Sequence, residues 1–159
     1  MPTKYATAAI AVALLTLAFA APELHAANVS LLVTETGIPS RGASGRMAAA
    51  WEDGILDTFF EAGHIVSGAP SIRLADSRPE DGLPPEVEER RIEAELGGME
   101  YFLLAAVDYG SGEVSLRLFA TGLNGSAGPI AQSLHPIGPS ANGGEGIKRA
   151  ALGIAAFIR

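Results

Sequence analysis

The chain has 159 residues, 18 acidic against 11 Lys or Arg side chains, a net charge of −7 and no Cys. The missing cysteines exclude a disulfide framework, a thiolate metal site and a lipid anchor attached at a Cys. An acidic balance without a basic stripe argues against nucleic acid as a partner.

Met1-Pro2-Thr3-Lys4 is weakly positive, and 6–21 then run uncharged and rich in Ala, Leu, Ile and Val. With small residues at Leu24-His25-Ala26-Ala27, this is the layout of a secretory signal cut after Ala26. A membrane-spanning helix needs roughly 20 apolar residues, and this shorter run is broken by Pro22 and Glu23. The expected organisation is a signal peptide at 1–26 and one α/β domain at 27–159, periplasmic or secreted. Contact with the membrane is expected only if the signal stays uncleaved. Cleavage removes one charge of each sign, Lys4 and Glu23, so the domain remains acidic. About 130 residues suffice for one core that buries roughly 70% of the unfolded surface.

The first element is a short apolar strand at 28–34, leaving into a loop marked by Gly37, Pro39 and Gly42. The period then changes: Met47, Trp51, Ile55 and Phe59 recur every four residues, predicting a helix over 44–63 with Ser44 as N-cap and Gly63 as its stop. Residues 64–74 read as a strand bent at Gly68 and Pro70. The charged, Pro-rich stretch 75–85 is a loop. A helix over 86–96 comes next, with acids in its first turn, Glu86 four before Arg90, Arg91 four before Glu95, and Gly97-Gly98 as the stop.

Residues 101–107 are apolar on both parities, as in a central strand covered on two faces. After Gly110-Ser111-Gly112, alternation of Val114, Leu116, Leu118 and Ala120 with Ser115, Arg117, Phe119 and Thr121 predicts a hairpin partner. A turn at 124–129 leads to a third meander strand at 130–135. Asn142 with Glu145 three residues on resembles a capping box and opens a closing helix, whose Ile147, Ala150, Ala151, Ile154 and Ile158 share one side. The order is β-α-β-α-β-β-β-α, a mixed sheet of the α/β (α+β) class with helices packed on it.

The run Ala94-Glu95-Leu96-Gly97-Gly98-Met99-Glu100-Tyr101-Phe102-Leu103-Leu104 is a helix end, a glycine stop and a hydrophobic strand. With the meander and closing helix it resembles the small envelope domain of the TolB amino-terminal part, the curli secretion lipoprotein and the lipoprotein activators of penicillin-binding proteins. The chain lacks the lipidated Cys of the lipoproteins and the propeller of TolB. The resemblance implies a protein-binding or assembly module of the cell envelope and carries over no catalytic residue.

The segment from Gly37 to Ser44 has the glycine spacing of a phosphate-cradling loop, but Ala43 stands where the Lys would be required. Arg41, Ser44 and Arg46, flanking a helix N-terminus, remain candidate contacts for a small anionic ligand. Asp53, Asp57 and Glu61 form an acidic row on the first helix; with Phe60 and Phe119, which fall off the main apolar faces, they are a candidate partner surface. Carboxylates along a straight helix cannot enclose a cation, and His64 and His135 lack neighbours at metal-ligand spacing, so neither metal nor cofactor is expected. No Ser sits in a Gly-x-Ser-x-Gly elbow. The leading expectation is a non-enzymatic exported accessory module that binds another envelope protein. The alternatives are a binder of a small anion at the 37–46 loop and an enzyme of undefined type.

Overall fold

Strand β1 (Asn28–Thr36) lies between two parallel neighbours, β2 (Ile65–Arg73) and β3 (Tyr101–Asp108). β3 pairs antiparallel with β4 (Glu113–Ala120), and β4 with β5 (Ala131–Pro136), so the sheet runs β2-β1-β3-β4-β5. Helices α1 (Arg46–Glu61) and α2 (Pro85–Leu96) make the two parallel crossovers, and α3 (Gly144–Ala155) closes the chain. The structure is a computed structural model that describes residues 26–37, 45–75, 82–122, 128–137 and 144–158. The expected signal segment through residue 25, the expected box residue Asn142 and most of the 124–129 turn lie outside those residues. Among the described residues no helix is long and apolar enough to cross a membrane.

The expected α/β order is the observed one, and topology places its helices. The crossover from β1 to β2 moves one way along the sheet and that from β2 to β3 moves back across β1. Right-handed connections in opposite directions put α1 and α2 on opposite faces. Strand parity agrees: Val29, Leu31 and Val33 pack with Trp51, Ile55 and Phe59 of α1 and with α3, while Leu32, Phe102, Leu104 and Phe119 pack with Val87 and Ala94 of α2. Both parities of β3 are thus covered, as its unbroken apolar run requires.

The helix stops have one mechanism. After α1, Gly63 adopts φ +87° and its N–H donates to Phe60 O, while His64 N–H donates to Phe59 O. After α2, Gly98 at φ +77° donates to Glu95 O and Met99 to Ala94 O. Both are Schellman closures, and the left-handed residue in each is a glycine because a side chain would be strained there.

Three local expectations are corrected. The N-cap of α1 is Gly45, not Ser44; no side chain among the described residues caps this end, and Gly45 N–H donates to Glu35 of β1. The bend in β2 is a bulge: two steps along β1, Leu32 to Thr34, match three along β2, Ala69 to Ile72. Pro70 falls inside it, on an edge strand, where the missing N–H breaks least pairing. On α2, Arg90 pairs with Glu93 at 2.7 Å and Arg91 takes Glu88 at 2.6 Å and Glu95 at 3.7 Å. Arg90 therefore meets an acid at i+3 where one at i−4 was expected.

Candidate functional site

Strand order reverses at β1, and the carboxyl ends of β1 and β3 lie side by side at that switch, where open α/β sheets hold ligands. Polar side chains gather there on both faces of the sheet.

On the α1 face, Glu35 is 1% exposed. Its Oε1 accepts hydrogen bonds from the Tyr109 hydroxyl at 2.6 Å and from Gly45 N–H at 3.1 Å, and Oε2 lies 3.7 Å from Arg73 Nε. One carboxylate thus joins the turn after β3, the start of α1 and the end of β2. Burial first, then the bond to Glu35, pushes the Tyr109 phenol well above its ordinary range, so it remains the proton donor. A helix N-terminus attracts an anion, and here that anion is part of the chain. Of the residues expected to hold an external anion at this loop, Arg46 is the exposed first residue of α1, and Arg41 and Ser44 lie outside the described residues.

On the other face α2 lies over β1 and β3; of β4 only Phe119 joins the core beneath it, and β5 lies beyond its reach. That leaves a cleft of about 180 Å³ beside the start of α2, floored by a grid of strand residues. Its outer row is Thr36, Asp108 and Glu113, its middle row Thr34, Ala106 and Ser115 with Leu134, and its inner row brings Leu104 beside Arg117. Leu74, Pro84 and Val87 wall the α2 side. Asp108 Oδ1 accepts from Gly110 N–H at 2.8 Å and Ser111 N–H at 3.3 Å, which fixes the β3–β4 turn. Thr36 donates to Val107 O. Thr34, 1% exposed, has no hydrogen-bond partner for its hydroxyl among the described residues.

The remaining expected site residues lie elsewhere. Asp53, Asp57 and Glu61 are spread along the outer side of α1, and Lys148 of α3 meets Glu61 at 2.6 Å, bringing a cation to the row from another helix. That pairing holds the Lys148 ammonium above its ordinary range. Phe60 is 77% exposed near the end of α1. Phe119 is corrected: at 3% exposed it fills the core under α2 against Phe102, so it offers a partner no surface. Trp51 is fully buried, its ring 5.9 Å from that of His135. Burial lowers the pKa of both His64 and His135, and among the described residues no cluster of three or more His, Cys, Asp or Glu could hold a metal.

Neither Glu35 nor the grid stood out along the chain. Glu35 carried a signal, an acid at the end of an apolar strand just before Gly37. Thr34, Asp108 and Arg117 carried none, since they converge only through strand pairing.

No known family model matches the chain, and no curated protein matches it. Among solved structures it is similar to the PelC L103M dodecamer from Paraburkholderia phytofirmans, with a TM-score of 0.43 and 14% identity over 83% of this chain and 87% of that one.

Proposed function

We propose that the chain is an exported accessory module of the cell envelope, periplasmic or secreted, which binds another protein and performs no catalysis. The observation that carries the reading is the open end of the sheet at β5. Among the described residues only Phe119 of β4 lies in the core under α2 and no helix covers β5 on that side, Leu134 is 62% exposed there, and β5 is an edge. Ile137 N–H donates to Gly112 O, in register with the β4–β5 pairs. Antiparallel alternation then turns the backbone groups of Gln132 and Leu134 outward, available to an added strand. Pro136 falls at the same outward parity, where its lack of an N–H costs no ladder bond. The opposite edge, β2, is guarded by Pro70 and its bulge, a common device against edge pairing. Export is supported by the signal-like 1–26 segment. An envelope partner is supported by the resemblance that runs from 94–104 through the meander to the closing helix.

The test compares wild type with Leu134→Lys and Leu134→Pro in affinity capture from envelope extract, with circular dichroism to verify folding. A partner recovered by wild type and lost by both folded variants is the expected result. A partner retained by both variants removes β5 as the surface, and repeated recovery of none overturns the protein-binding reading. Intact mass of the exported protein checks cleavage after Ala26.

A further inference from the structure

The cleft beneath α2 has properties that strand addition at β5 does not use. Thr34 is the only buried side-chain polar atom without a hydrogen bond among the described residues, and it lines this cleft. An orphaned buried hydroxyl is a standing cost unless something meets it. Glu113, exposed at the outer end of the floor, stands directly across from Asp108. At the other end of the floor, Arg117 points to the same face, with no carboxylate in ion-pair range among the described residues. Glu113 and Arg117 are four residues apart on one strand, about 13 Å between Cα atoms, and the long Arg stem closes part of that gap. Between them lie the hydroxyls of Thr34 and Ser115, with Leu104, Val87 and Leu134 supplying apolar walls.

We propose that this cleft binds a small dipolar molecule about the size of one amino acid, cationic at one end and anionic at the other, as a basic or ω-amino acid is. The cation lies at Glu113; the anion forms a charge-assisted pair with Arg117; the apolar midsection lies on Leu104 and Leu134. A polar atom of the ligand or of a water it orders meets the Thr34 hydroxyl. The cleft's volume of about 180 Å³ accommodates a molecule of this size.

The test is calorimetric titration of the full chain with 6-aminohexanoate and L-lysine, using hexanoate and hexylamine as controls with a single charge. Saturable binding of the dipolar probes is expected, about tenfold weaker for either control because one charged contact is lost. Arg117→Gln and Glu113→Gln should each bring 6-aminohexanoate down to the level of the control lacking that charge. Thr34→Val should weaken the probe while leaving the thermal midpoint of the free protein unchanged or raised, since it removes an unsatisfied hydroxyl and retains the shape. The proposal is overturned if no probe saturates, if hexylamine or hexanoate binds as tightly as 6-aminohexanoate, or if Arg117→Gln and Glu113→Gln bind like wild type. Thr34→Val binding like wild type while those two fail would remove the hydroxyl from the ligand contacts.

Discussion

The bond between Glu35 and Tyr109 can be measured by a double-mutant cycle of Glu35→Gln and Tyr109→Phe. Glu35 Oε1 accepts both the Tyr109 hydroxyl and Gly45 N–H, so Gln can keep both bonds at its one oxygen, but without charge. Bonds to a charged group contribute about 1.5–3 kcal/mol and neutral ones about 0.5–1.5, so two weakened bonds predict a loss of about 2–3 kcal/mol. The Arg73 contribution is small because that side chain is 64% exposed and its ion pair is screened. Tyr109→Phe should cost about 1.5 kcal/mol. Because one bond is shared, the double variant should fall short of the sum by about 1 kcal/mol in urea unfolding at neutral pH. A second signature is alkaline. The folded phenol keeps its proton where the unfolded one, with a pKa near 10, gives it up. The unfolded chain then binds fewer protons than the folded one, so this stability is complete below about pH 10 and is lost as pH climbs through the raised value. Tyr109→Phe should abolish that alkaline slope. Additivity within about 0.3–0.5 kcal/mol, or a slope unchanged in the Phe variant, would refute the assigned bond.

Two glycines in helices should respond oppositely to Ala. A Cβ on Gly54 would lie 2.6 Å from Cγ2 of the buried Ile147, so Gly54→Ala should push α3 from α1 and destabilise by about 1–2 kcal/mol net of its helix propensity. Gly153→Ala meets open space and should stabilise by about 0.5–1 kcal/mol; the pair is read by thermal melting. Phe119→Ala should cost about 3–5 kcal/mol in denaturant unfolding, whereas exposed Phe60→Ala should stay within about 0.5 kcal/mol. His64 and His135 have pKa values lowered by burial, so below about pH 6.5 the unfolded chain binds more protons and stability falls. Ala27 N–H donates to His64 Nδ1, a bond only the neutral ring accepts, and His64→Gln should flatten this acid slope in unfolding measured from about pH 7 to about pH 5.

Periodicity by itself determined the order of elements and most of their faces. Trp51, Ile55 and Phe59 at four-residue spacing, the doubly apolar 101–107 run and the alternation after Gly112 each reflect burial that one element's geometry imposes, and glycines marked both helix stops. Local pattern reached its limit where one residue answers to several strands. Phe119, on the polar parity of β4, looked like a surface group until α2 was placed over the sheet. Glu35, just past the strand expected at 28–34, became the buried link of three segments because α1 begins beside it. Thr34, Glu113 and Arg117 became one cleft only through the register of β1 with β3 and β3 with β4. Secondary structure depends on spacing within one segment and so is written along the chain. Sites depend on residues from separate segments meeting on one face, and only the tertiary pairing of strands and the hand of the crossovers decide which residues meet.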